Sequence, residues 1–350
     1  MSHHRAVKSV LAAAWIGAAV SLPTAAFADE GGVSFWVPGF FGSLAATPQQ
    51  PGFAIAFIGY HTSVKAGADV AFARQVHRGQ INTNFVGNLD VNLRADVTLG
   101  MVAPSYVFAE RFLGAQATIA LLVPYGRAHA DVDATLTGAL GPIGFVLSGG
   151  RSETIDGFAD IVPQFNLRWN MGVHNVMTYV TGNVQVGRYD PNRLANLGLG
   201  HQALDGGVGY TYFNPHTGYE FSSVVGFTYN FENDDTQYKS GVDMHIDWGA
   251  SRFLTPQLQI GLVGYLYQQL GCDSGAGNRV GCFRSRVAGI GPQIGYIIPM
   301  GNLQGYLNLK GYGEFAEQHR PSGWNVWLTF AITPAAHTPP SSAGRPIITK

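Results

Sequence analysis

Asp243, His245 and Asp247 stand at alternate positions, and so do His129, Asp131 and Asp133. Alternate residues on an extended strand share one face, so each trio would present carboxylates beside an imidazole. Three uses suit such a row: a divalent metal, a charged ladder that contacts and orients a solute, or cross-strand ion pairs that fill a solvated interior. Rows of this kind arise in any polar-faced sheet, so the spacing by itself assigns no metal. Arg94 and Asp96, Arg168, and Lys310 fall on comparable polar rows. Aromatic residues alternate in the same manner at Tyr265 and Tyr267, at Tyr306 and Tyr312, and near Trp327. No serine–histidine pair is spaced for nucleophilic catalysis, and no glycine-rich phosphate loop opens a helix after a strand. The reading therefore carries no catalytic residue, no metal and no cofactor.

Long alternating segments carry these rows. Leu89, Val91, Leu93, Ala95, Val97 and Leu99 interleave with Asp90, Asn92, Arg94, Asp96 and Thr98. Residues 127–136, 242–248 and 304–312 repeat the pattern. Several segments reach ~20 residues, where strands of soluble sandwiches run ~5–6. Strands are predicted near 52–62, 88–109, 112–136, 154–170, 173–187, 203–213, 216–230, 238–252, 255–270, 281–299, 302–316 and 321–333. Short connections alternate with long ones, the long ones including 62–87, 137–153, 188–202 and 271–280. The fold expected is all-β, an antiparallel transmembrane β-barrel of about twelve strands over residues 52–333. A charge facing lipid at mid-bilayer costs ~2–4 kcal/mol, so the polar rows should face the lumen. The lumen-lining, substrate-contacting set expected is Arg94, Asp96, His129, Asp131, Asp133, Arg168, Asp243, His245, Asp247, Tyr265, Tyr267, Tyr306, Lys310, Tyr312 and Trp327.

Composition agrees with a membrane barrel. Only 12% of the 350 residues are charged, against ~25% in an ordinary soluble domain. The 21 basic and 22 acidic residues nearly cancel, which excludes electrostatic binding of nucleic acid. A hydrophobic share of 46% with 12% aromatics excludes a disordered chain.

The ends of the chain differ from its middle. Arg5 and Lys8 precede an apolar run over 10–22, then Pro23 and Ala26-Phe27-Ala28. This is the order of a secretory signal peptide, residues 1–28, cleaved after Ala28. Export places Cys272 and Cys282 where a disulfide can form, pinning one loop. Residues 29–51 hold Phe35-Trp36-Val37-Pro38-Gly39-Phe40-Phe41-Gly42, too apolar for a free tail and suited either to a small plug in the lumen or to packing across the barrel's periplasmic mouth. The closing strand, ending at Phe330, resembles the signal read by the barrel-assembly machinery. A Pro-, Ser- and Ala-rich tail follows at 334–350, with the composition of a disordered segment.

A set of short motifs spans the mature chain: Val37-Pro38-Gly39, Pro51-Gly52, Ala103-Pro104-Ser105-Tyr106, Gly157-Phe158-Ala159-Asp160 and Gly187-Arg188-Tyr189-Asp190. Asn230-Phe231-Glu232-Asn233, Tyr238-Lys239-Ser240-Gly241, Gly264-Tyr265-Leu266-Tyr267-Gln268-Gln269, Gly289-Ile290-Gly291-Pro292 and Gly323-Trp324 continue it. In this order they resemble the MetA pathway of phenol degradation family of outer-membrane transporters, some described as sphingosine-responsive. The resemblance implies a Gram-negative outer-membrane channel for passive uptake of hydrophobic or aromatic small molecules. Its surroundings would be outer-membrane lipid and lipopolysaccharide. It brings no catalytic residues. Two other readings compete, a structural or adhesive barrel working through its loops and a lipid-modifying barrel enzyme.

Overall fold

The computed structural model describes residues 34–335 apart from 79–80, 141–142, 279–280 and 283. The signal peptide expected at 1–28, the start of the 29–51 segment and the tail beyond 335 lie outside the described residues.

Period-two alternation becomes strand almost everywhere. Among the described residues the strands are β1 (Gly52–Arg78), β2 (Ile81–Phe112), β3 (Ala115–Leu140), β4 (Ile143–Phe158), β5 (Val162–Met171), β6 (His174–Gly182) and β7 (Ala203–Phe213). They continue as β8 (Tyr219–Asn230), β9 (Asp243–Phe253), β10 (Leu258–Gln269), β11 (Arg286–Met300), β12 (Leu303–Gln318) and β13 (Ser322–Pro334). All ladders are antiparallel, and β13 closes the sheet on β1 from Ile55↔Ile332 to Lys65↔Ser322. Closure removes the exposed edges that an open sheet would leave. The β3 strand pairs first with β5, from Gln116↔Arg168, and higher up with β4, from Tyr125↔Phe158. Thus β4 and β5 are two halves of one stave, and the molecule is a closed barrel of twelve staves.

The break between them divides the strand expected at 154–170. Asp160 is buried there and takes over the bonding that the ladder loses. Its Oδ1 accepts from the Gly187 amide at 2.9 Å, and its Oδ2 from Asn183 Nδ2 at 2.7 Å and the Leu199 amide at 3.2 Å. One carboxylate so stitches residues 183–202 across the stave. Asp160→Ala would leave these donors unmet, at about 1–3 kcal/mol apiece. Limited proteolysis of the folded barrel should then cut within 183–202 at least ~10-fold faster. An unchanged cleavage rate would refute the stitch.

Two connections expected as loops, 62–87 and 137–153, are mostly strand. The β1–β2 ladder continues to Arg78↔Ile81 and the β3–β4 ladder to Leu140↔Ile143. Small residues such as Ala66, Gly67 and Ala68 weaken the alternation there. The main-chain ladder carries the strand regardless. A tilted membrane strand needs ~9–11 residues. The 10 residues of β5 and 9 of β6 meet that length, while the 27 of β1 and 32 of β2 far exceed it. The hairpins β1–β2 and β3–β4 therefore rise well beyond the rest of the barrel at its loop end.

The outside of the barrel carries an exposed apolar belt. Phe57, Val102, Ile119, Leu121, Val208, Phe227, Leu262, Ile294, Leu309 and Leu328 all contribute. Such a belt is stable against hydrocarbon and costly in water. Aromatic side chains edge it towards the loop end, where Tyr125 packs on Phe158 and Trp324 on His61.

Candidate functional site

Residues 34–50 fill the middle of the barrel, held from several strands at once. Gly39 is clamped between opposite charges. Its amide donates to Asp247 Oδ1 on β9 at 2.8 Å, and its carbonyl accepts from Lys310 Nζ on β12 at 2.5 Å. Gly39 has φ +86°, and a Cβ there would run into the Tyr312 ring, so glycine is required. The same ammonium donates to the carbonyls of Phe40 and Phe41 at 3.3 and 3.0 Å. Trp36 lies flat on His245, ring centroids 3.7 Å apart, and donates Nε1–H to Asp247 Oδ2 at 3.2 Å. Behind His245, Asp205 bonds both its Nε2 (3.1 Å) and the Tyr179 hydroxyl (2.7 Å).

Further along, the Leu44 amide donates to Glu220 Oε1 at 2.9 Å and the Ala46 amide to Thr211 Oγ1 at 3.0 Å. Arg168 Nε reaches the Ala45 carbonyl at 3.4 Å. The segment presses directly on β9, where a side chain at Gly249 would strike Ser43. Its main-chain polar groups are thus met by charged or hydroxyl partners, as groups removed from water require.

Above this segment sits an aromatic cluster. Tyr60, Met101, Val263, Tyr265, Tyr267, Tyr312 and Trp327 pack together, and Phe40 and Leu99 join them. Tyr265 donates to Glu314 Oε1 at 2.7 Å and accepts from Asn325 Nδ2 at 2.8 Å. Asn325 Oδ1 accepts in turn from Trp327 Nε1 at 3.1 Å.

Arg168, Asp243, His245, Asp247, Tyr265, Tyr267, Lys310, Tyr312 and Trp327 are all buried in this interior, and Tyr306 joins them through a 2.6 Å bond to Gln259. The Asp243–His245–Asp247 row is mostly held by protein partners, although His245 Nδ1 is buried without a hydrogen bond among the described residues. Asp243 accepts from Asn230 at 2.8 Å, and the other two bind as described above.

Arg94, Asp96, His129, Asp131 and Asp133 do not face the lumen. They continue the outer rows of Val102 on β2 and of Ile119 and Leu121 on β3, and cross-strand pairing joins Arg94↔Asp131 and Asp96↔His129. Arg94 and Asp133 are exposed, and His129 bonds Asp131 and Thr154 along the surface. The expectation that charges must avoid the outer face applies only within hydrocarbon, and these residues stand above the apolar belt. The opposite, inner face of the same strands is apolar. Leu93, Ala128, Ala130, Ala134 and Ile155 are buried on it, and Ala95 and Val97 lie beside them. Leu194, Ala195 and Leu197 from the 183–202 crossing cover part of this face.

Glu220, Asp205, Tyr179 and Thr211 belong to the interior but were missing from the expected set. Glu220 and Ser222 alternate at the start of β8, so the same period-two signal could have found them. At the loop end Cys272 and Cys282 are bonded to each other. In the loop they close, burial pushes the Asp273 carboxyl up, although the Gly241 amide donates to it at 3.0 Å.

A family model described as MetA-pathway of phenol degradation matches residues 78–330. The chain belongs to that family. Within solved structures, the chain is similar to the COG4313 outer membrane channel from Pseudomonas putida F1. The TM-score is 0.60 at 13% identity, covering 82% of this chain and 97% of that one. A Pseudomonas aeruginosa FadL homologue aligns over 89% of this chain and 98% of its own, at 10% identity and TM-score 0.41. A search of curated proteins gave no significant match. The first likeness agrees with the outer-membrane barrel fold built above.

Proposed function

We propose that the protein is an outer-membrane channel for passive uptake of hydrophobic or aromatic small molecules. One observation carries this reading. Among the described residues the inner faces of β2 and β3 are apolar and lead from Leu93 through Val97 and Leu99 to the cluster around Met101, Tyr60 and Trp327. Arg151 and Glu153 on β4 pair with each other beside this path and bind the 183–202 crossing. A porin for hydrated solutes lines its mouth with polar groups. Here the charges of β2 and β3 are turned outward, and the path along the inner faces of those two strands is oily. Family membership supports the same class of solute.

In this reading the short turns are periplasmic and the long hairpins extracellular. A cleaved leader at 1–28 delivers the chain to the periplasm, and barrel-assembly machinery inserts it in the outer membrane. The outer rows around Arg94, Asp131 and Arg127 meet lipopolysaccharide headgroups. The interior residues named above contact substrate, and residues 34–50 act as a plug that must shift for passage. Transport is diffusive, driven by the solute's own gradient.

Uptake of a labelled panel, from phenols to long-chain amphiphiles, by intact deletion and complemented cells tests the proposal. Liposomes would mislead, because hydrophobic compounds cross bare bilayers unaided. Uptake of one chemical class should fall on deletion and return on complementation. Equal uptake across the panel would overturn the channel reading and turn attention to an adhesive role of the loops.

A further inference from the structure

A cavity of about 170 Å³ lies between the N-terminal segment and the strands β11 to β13. Phe40 and Phe41 wall one side, and Gln293, Tyr306, Asn308 and Thr329 supply the polar side. A cavity of ~150 Å³ accepts a benzene ring, so this volume suits one ring with a small substituent.

The hydrogen bonds around the cavity decide which substituent. Gln293 Nε2 donates to Ser43 Oγ at 2.6 Å and the Leu262 carbonyl at 3.3 Å. Asn308 Nδ2 donates to the Ile294 carbonyl and the Tyr306 hydroxyl, both at 3.2 Å. Carbonyl partners fix both amide orientations. Tyr306 spends its proton on Gln259 Oε1 at 2.6 Å. Lys310, also at the cavity wall, directs its ammonium at the carbonyls of Gly39, Phe40 and Phe41. Apart from the Thr329 hydroxyl, the donors at this wall are therefore committed. Gln293 Oε1, Asn308 Oδ1 and the Thr329 hydroxyl carry no hydrogen bond among the described residues, and all three are able to accept.

We infer that this cavity is a binding subsite for a neutral, single-ring phenol, whose hydroxyl proton is accepted by the Gln293–Asn308–Thr329 side while its ring packs on Phe40 and Phe41. A benzoate of the same size brings only acceptor oxygens and a charge, and meets two amide acceptors against the single Thr329 hydroxyl able to donate to it. A phenol, with a pKa near ~10, remains a donor at neutral pH. The inference rests on the channel reading and narrows its substrate class.

Crystals of the full chain soaked in 4-bromophenol should show one anomalous bromine peak in the cavity. 4-Bromobenzoate at the same concentration should show none. In lipid nanodiscs, fluorine NMR of 4-fluorophenol should report saturable binding at least ~10-fold tighter than 4-fluorobenzoate, a gap of about 1.4 kcal/mol. Thr329→Phe, which fills the cavity, should abolish that binding. Should that variant fail to assemble, the near-isosteric Thr329→Val should still narrow the preference for 4-fluorophenol over 4-fluorotoluene by at least ~3-fold. An empty cavity, or equal binding of phenol and benzoate, overturns the subsite. Cellular uptake of phenols with an empty cavity would sink the subsite and spare the channel reading. A filled cavity without uptake would do the reverse.

Discussion

Replacing Lys310 with Met should raise the single-channel conductance by ~10-fold or more and expose residues 34–50 to protease. The ammonium serves three successive carbonyls, those of Gly39, Phe40 and Phe41. Without it those carbonyls stay buried with no donor, at about 1–3 kcal/mol each. The loss is larger than the carbonyls alone, because Gly39 is also the residue that Asp247 grips by its amide. Removing the cation leaves Asp247 as a buried carboxylate facing no opposite charge on that residue, which weakens the second grip as well. Met keeps the length and the apolar stem, so the aromatic neighbours Tyr312 and Trp327 retain their packing. The wall ladders do not involve the ammonium, so the barrel should still close and insert. The remaining anchors, among them the Trp36–His245 stack, the Gln293–Ser43 bond and the Glu220–Leu44 bond, lie to either side of residues 39–41 and do not replace their clamp. Planar-bilayer recording together with N-terminal proteolysis checks this. Unchanged conductance with full protection would mean that the segment is a fixed filler and not a plug.

The wall of the barrel was easier to read in the sequence than its interior. Alternation over β8 to β13 announces both the strands and their faces. Within the belt the rule is simple: Leu307 and Leu309 face out, while Tyr306, Asn308 and Lys310 face in. The same alternation in β2 and β3 reads identically and means the opposite. Leu93 is buried inside and Arg94 exposed outside, because those residues have left the hydrocarbon. Period two fixes which residues share a face but never which face meets lipid. Height above the belt decides that, and height depends on the three-dimensional registry of several strands. The partners of residues 34–50 were hidden for a different reason. The Gly39 clamp joins residues 208 and 271 positions apart, and no local pattern encodes such a pairing. Aromatic and glycine content around Trp36 signalled that the segment needs a seat. It did not say which charges would provide one.

That inversion of faces gives the sharpest test of how solute enters. Leu93 and Arg94 are neighbours in sequence and lie on opposite sides of one sheet. Leu93→Glu should reduce uptake of a hydrophobic solute by ~10-fold, while Arg94→Ala should leave it within ~2-fold. A ring that lays ~80 Å² of its surface on the inner face gains about 2 kcal/mol there. A carboxylate at position 93 keeps water on that face, and the gain is lost for any solute that must pass it. Leu93 pairs across the ladders with Ala66 and Val132, so the longer side chain projects into the mouth rather than into a packed core. Assembly should survive in both variants, and heat-modifiable migration of the barrel on a gel checks it. Arg94 stands opposite Asp131 in the ladder on the exposed outer face, where losing one surface charge is worth ~0–1 kcal/mol and touches no path for solute. A charged constriction built from Arg94, Asp96 and Asp131 would show the opposite order, with Arg94→Ala altering flux and Leu93→Glu doing little. The pair of variants so separates an oily slide into the barrel from a charge-lined pore.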